Sequence, residues 1–83
     1  MLQATFGVLR QVLLDLGFTM RTDPKFIRFD HAASQTWFLY PPYRDEDAVD
    51  PGDLVAARRI LDERGFMPRE RFEELLRKNL IAG

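Results

Sequence analysis

The chain has 83 residues, a length that predicts one domain over residues 1–83. A domain of this size buries roughly 60% of its unfolded surface, so we expect a thin core. The formal net charge of −1 argues against tight, nonspecific binding of nucleic acid, which needs a basic surface. The sequence contains no cysteine, which excludes disulfides and thiolate metal sites.

The N-terminal segment lacks the basic region and the long apolar run of a signal peptide. No stretch approaches the about 20 apolar residues that a membrane-spanning helix requires. An absence of cysteine suits a reducing compartment. We therefore expect a cytoplasmic protein with no membrane partner.

The first predicted element is an amphipathic helix over residues 2–16. Its apolar residues recur at three- and four-residue spacing, which places them on one stripe facing a core. Gly17 stands where a helix usually ends in a left-handed residue, and Phe18 follows as the apolar contact that such an end often has.

Two further helices are predicted in the second half of the chain. Asp50 can cap a helix over residues 51–64, and Pro51 suits its first position. The last helix is predicted over residues 68–80, and its apolar side comprises Phe72, Leu75, Leu76 and Leu80.

Residues 18–40 predict a three-stranded sheet, because they are rich in aromatic and branched residues and broken by turn signals. The strands are expected at residues 18–22, 25–30 and 35–40. A connection of two to four residues joins the last two, and the simplest pairing sets Phe29 opposite Thr36 and Arg28 opposite Trp37. The order of helix, three strands and two helices predicts an α+β domain, with the helices on one face of an antiparallel sheet.

Alternation along the strands divides their side chains between two faces. The expected core face comprises Ile27, Phe29, Phe38 and Tyr40. The opposite face comprises Phe26, Arg28, Trp37 and Leu39. Three of these four are apolar, and an exposed apolar patch is typical of an interaction surface. Two structural alternatives are that another element covers this face, or that Arg28 lies over Trp37 as an ordinary cation–π pair.

The sequence contains few motifs that indicate catalysis, phosphate binding or metal binding. There is no Gly-rich phosphate loop, no pair of cysteines and no His-x-x-x-His spacing, so we expect no cofactor and no metal site. The acidic run at residues 45–47 is typical of a solvated loop. His31 is the single histidine and could act as a general acid or base. Its predicted place in a turn is more typical of a polar, solvated side chain, and Asp30 beside it should point to the opposite face.

Several segments, in this order and spacing, resemble the HicA (YcfA-like) family of mRNA interferase toxins from bacterial toxin–antitoxin systems. They are Leu16-Gly17-Phe18, Phe29-Asp30-His31, Asp50-Pro51-Gly52-Asp53-Leu54, the run from Ile60 to Phe66 and the run from Arg69 to Leu76. The resemblance covers most of residues 9–78. It implies a fold like that of double-stranded-RNA-binding domains, α-β-β-β-α, here with an additional C-terminal helix.

The chain departs from this family at the catalytic position. Family members carry Gly-Ser-His early in the second strand, and that histidine cleaves RNA. The corresponding positions here are Pro24-Lys25-Phe26. Phenylalanine has no proton to transfer, so the family's chemistry cannot run from Phe26. His31 matches a different family position, in the turn.

Two functional hypotheses follow. In the first, the domain has lost catalysis and binds a partner through Phe26, Arg28, Trp37 and Leu39. A protein partner, either a HicB-like antitoxin or a second copy, is favoured over RNA, because an apolar face suits protein and the charge balance does not suit RNA. In the second, the protein is an RNA-cleaving toxin that uses His31 in a non-standard way.

Overall fold

The chain folds as an α-β-β-β-α-α domain around one small antiparallel sheet. A computed structural model describes residues 2–82, and the side chains of residues 2–78. The elements are α1 (Phe6–Asp15), β1 (Thr19–Asp23), β2 (Phe26–His31), β3 (Thr36–Tyr40), α2 (Pro51–Glu63) and α3 (Arg69–Ala82). The strands lie in the order β1-β2-β3. The predicted α+β layout, with three strands between the first and second helices, is therefore confirmed.

The division of the sheet into two faces is also as predicted. The core face of β2 and β3 is buried, and it packs with apolar side chains from all three helices, including Phe6, Leu9, Leu13, Leu54, Leu61 and Phe72. Phe6 contacts the rings of Phe29 and Tyr40 at centroid distances of 6.1 and 6.2 Å. The helices thus cover one face, and the opposite face of the sheet stays open.

The pairing of β2 with β3 corrects the predicted register by two residues. Phe29 lies opposite Phe38, Arg28 opposite Leu39, and His31 opposite Thr36. The cause is the connection, a 3₁₀ turn (Ala32–Ser34) closed by a left-handed Gln35 with φ 54°. This turn takes four residues outside the strands, so β2 extends to His31. A shift of two residues keeps every side chain on its predicted face.

Helix α1 begins four residues later than predicted, at Phe6 instead of residue 2. The preceding residues pair instead with the loop before α2. Thr5 forms a β-bridge with Ala48, and the carbonyl oxygen of Ala4 accepts from the amide of Val49 at 2.9 Å. These hydrogen bonds hold the segment extended, and so the apolar periodicity that reaches back to Leu2 does not extend the helix.

Helices α1 and α2 end in the same motif. Gly17 and Gly65 have φ values of 96° and 77°, in the left-handed region where glycine has no steric penalty. The amides of Phe18 and Phe66 reach back to the carbonyl oxygens of Leu13 and Leu61 at 3.0 and 2.9 Å. Both ends are Schellman motifs, as the Gly-Phe pairs predict.

The start of α2 is as predicted, and the last helix differs slightly at both ends. The Oδ1 atom of Asp50 accepts from the amide of Gly52 at 2.8 Å, with Pro51 in the first helical position. Helix α2 ends at Glu63 and α3 runs over Arg69–Ala82, against predictions of 51–64 and 68–80. The predicted burial of Leu80 concerns a side chain outside the described residues. Within residues 2–82, no helix is long and apolar enough to cross a membrane.

Candidate functional site

The open face of the sheet carries the four residues that the sequence singled out for binding. We call Phe26, Arg28, Trp37 and Leu39 the outer face. Trp37 and Leu39 are 52% and 51% exposed, and Phe26 is 37% exposed. Arg28 lies directly opposite Leu39, diagonal to Trp37 and two residues from Phe26 along β2. The strands therefore place the three apolar side chains around one arginine, and no other described element covers them.

Arg28 is held in place by two interactions. Its guanidinium carbon lies 4.8 Å from the ring centroid of Trp37, so the cation–π contact that the sequence left as an alternative is formed. Its Nε donates to Oδ1 of Asp30 at 2.8 Å. The other oxygen of Asp30, Oδ2, is buried and has no hydrogen-bond partner among the described residues. This contact explains the position of Arg28, but it covers little of Trp37, which remains half exposed.

Strand β1 adds a polar border to the outer face that the sequence reasoning missed. Thr19, Arg21 and Asp23 are exposed, and Arg21 lies directly opposite Arg28. Like charges in opposite positions are unfavourable unless an anionic group lies near them. Among the described residues, Arg21 has no ion-pair partner within 4.0 Å. The two-residue turn at Pro24–Lys25 was the available signal, since it sets Asp23 opposite Phe26 and so fixes the face of Arg21.

His31 does not lie in a solvated turn, and this prediction is wrong. It is the last residue of β2 and half buried. Its ring contacts those of Phe18 and Phe66 at centroid distances of 5.4 and 4.8 Å. Its Nδ1 lies 2.8 Å from Oγ of Ser34, which also donates to Oγ1 of Thr36 at 2.8 Å. The ring therefore joins the ends of α1 and α2 to the β2–β3 turn.

Two tyrosines near the start of α2 have perturbed acidity. Burial, with smaller contributions from the negative charges of Asp53 and Tyr43, raises the pKa of Tyr40. Partial burial also raises the pKa of Tyr43, and its hydrogen bond to Asp53 adds to the effect. The hydroxyl of Tyr43 donates to Asp53 Oδ2 and accepts from the amide of Asp50, both at 2.9 Å. Both tyrosines are neutral at physiological pH, so this network fixes the loop before α2 and supplies no base.

The arrangement suits contact with another molecule better than bond cleavage. Within residues 2–82, no three His, Asp or Glu side chains come together in a group that could hold a metal ion. On the outer face, apolar side chains lie beside Arg21 and Arg28, a combination that can bury apolar surface and accept a carboxylate. No protein-family model, curated protein or solved structure matches the chain.

Proposed function

We propose that this domain is a binding module whose partner is a protein, and that the outer face is its contact surface. The observation that carries the proposal is the exposure of Trp37 and Leu39 side by side on an open sheet face. Together with Phe26 they form an apolar surface, and tryptophan is among the residues that contribute most to protein interfaces. The partner is either a HicB-like antitoxin or a second copy of the chain.

Charge on the outer face indicates the chemistry of this partner. Arg21 and Arg28 lie next to each other, while Asp30 engages only Arg28. A complementary surface would be apolar and would bring a carboxylate to Arg21. RNA has less support, because Asp23 and Asp30 lie on the same face and would repel phosphate groups.

The similarity to HicA toxins supports an origin in a toxin–antitoxin system and a cytoplasmic location. It does not support the toxin's chemistry here, because Phe26 occupies the catalytic position. RNA cleavage by His31 has less support than binding. The ring packs against both Phe18 and Phe66, and Ser34 engages its Nδ1.

The experiment is a comparison of Trp37→Ala with Val55→Ala. Val55 is 45% exposed on α2, away from the sheet, and is therefore a matched control. Analytical ultracentrifugation measures two interactions of the wild-type protein. One is binding to the protein encoded by the neighbouring gene, and the other is self-association. Trp37→Ala should weaken the interaction roughly 30-fold, equivalent to about 2 kcal/mol. Val55→Ala should leave it unchanged, and both variants should remain folded by circular dichroism.

Two results would contradict the proposal. One is an interaction that Trp37→Ala and Leu39→Ala leave intact. The other is degradation of RNA by the purified protein, if the His31→Ala variant no longer degrades RNA. The His31→Phe variant must then be folded and also inactive. The second result would establish a ribonuclease that depends on the imidazole.

A further inference from the structure

The free edge of β3 borders a groove that adjoins the outer face and shares Trp37 and Leu39 with it. The sheet order leaves β3 with β2 on one side only, and no described residue pairs with its other edge. Helix α2 forms the opposite wall. The groove has a volume of about 450 Å³. It is lined by β3, by the α2 residues Asp53, Ala56, Ile60 and Glu63, and by Arg64 at the end of this helix.

The strand pairing indicates which backbone groups face this groove. Asp23 and Phe26 close a two-residue turn, and a pair that closes such a turn is hydrogen-bonded. Alternation along β2 then directs the backbone of Ile27, Phe29 and His31 toward β3. Their partners in β3 are Tyr40, Phe38 and Thr36. The remaining two residues, Trp37 and Leu39, therefore direct their N–H and C=O groups to the free edge.

The two edges of the sheet are protected differently. The edge strand β1 has the sequence TMRTD, with one arginine and one aspartate, and charged side chains discourage pairing at an edge. Strand β3 has the sequence TWFLY and carries no charge. Such an edge is open to pairing with another strand. The two edges therefore differ: charged side chains protect β1, and none protects β3.

We propose that this groove binds an extended peptide segment of another protein, which adds to the sheet as a fourth strand beside β3. Its backbone would pair with Trp37 and Leu39, and its side chains would lie against Ala56 and Ile60. The segment is apolar at its centre. It carries a basic residue at the end nearest Asp53, because this end of the groove is acidic, whereas Glu63 and Arg64 balance each other at the other end.

A buried hydroxyl supports the same occupant. Tyr40 lines the groove beside Asp53, and its hydroxyl is buried without a hydrogen-bond partner among the described residues. A buried polar group without a partner is unusual in a folded protein. A polar group at the basic end of the peptide would lie close to Tyr40 and Asp53, the two side chains at that end.

The test is selection of peptides from a random heptapeptide phage library, followed by measurement of binding to variants. Leu39→Pro removes one edge N–H without removing a bond between β2 and β3. Leu39→Ala keeps this N–H and removes the same exposed side chain. Selected peptides should contain an apolar centre and a basic end, and they should bind Leu39→Pro about tenfold more weakly than Leu39→Ala.

A second pair of variants tests the groove from its other wall. Ala56→Arg fills the groove without altering β3, and Val55→Arg adds the same side chain at an exposed neighbouring position. Only Ala56→Arg should abolish peptide binding. Equal binding to both arginine variants, failure to enrich any peptide, or a wild-type dimer that Ala56→Arg dissociates would each overturn the proposal. Loss of binding in Leu39→Ala together with Trp37→Ala would instead assign the peptide to the outer face.

Discussion

Replacement of His31 tests how much the contacts of its ring contribute to the stability of the fold. Its ring contacts Phe18 and Phe66, and each aromatic contact of this kind is worth about 0.5–1.5 kcal/mol. The hydrogen bond between Nδ1 and Ser34 adds about 1 kcal/mol. His31→Ala removes all three interactions, so it should lower the free energy of unfolding by roughly 2–4 kcal/mol. His31→Phe keeps a ring in place and should lose about 1 kcal/mol, mainly the hydrogen bond.

Urea denaturation followed by tryptophan fluorescence and circular dichroism measures both values. In a domain of this size, each kcal/mol corresponds to a shift of about 4–8 °C in the melting temperature, which gives an independent measurement. The reasoning would be refuted if His31→Ala were as stable as wild type, or if the phenylalanine variant lost as much as the alanine variant. Either outcome would mean that the ring contacts contribute nothing to stability.

Three further predictions concern single contacts of the fold. Gly65→Ala should cost about 1 kcal/mol through backbone strain alone, because a Cβ there meets no atom within 4 Å; Gly65→Asn should cost less in the same urea titration. Asp50→Ala should cost about 1 kcal/mol through loss of the cap on Gly52, while Asp50→Ser should retain most of the stability. The free energy of unfolding should fall above pH 10 because of Tyr40. In the unfolded chain this tyrosine ionises near its ordinary pKa of 10, whereas in the folded protein its pKa is higher. The Tyr40→Phe variant should therefore lose less stability than wild type between pH 9 and 11, and equal losses would contradict the assignment.

Structural features that depend on residues close together in the chain could be predicted from the sequence. The alternation of apolar residues in β2 and β3 assigns Phe29 to the core and Trp37 to the open face, and the structure has both residues there. The Gly-Phe pairs after α1 and α2 predict two left-handed helix ends, and both are present. The contact between Arg28 and Trp37 also follows from their shared face.

Structural features that depend on contacts between distant parts of the chain could not be predicted from the sequence. The start of α1 is set by two hydrogen bonds to the loop before α2: the carbonyl oxygen of Ala4 accepts from Val49, and the amide of Phe6 donates to Asp47. The local sequence does not predict this pairing. Nor could the burial of His31 be predicted, because it requires Phe18 and Phe66, which follow different helices, to pack against each other and against its ring. The groove beside β3 depends on the position of α2, which local patterns do not determine.

The junction at His31 has a consequence for the accuracy of hairpin assembly. Pairing Phe29 with Thr36, two residues out of step, would leave the same side chains on each face of the sheet. Burial of the strands therefore does not separate the two pairings. In the native pairing, the strand reaches His31, and its ring packs against both Phe18, which follows α1, and Phe66, which follows α2. We expect these ring contacts to favour the native pairing, because burial of the strands does not distinguish it from the slipped one.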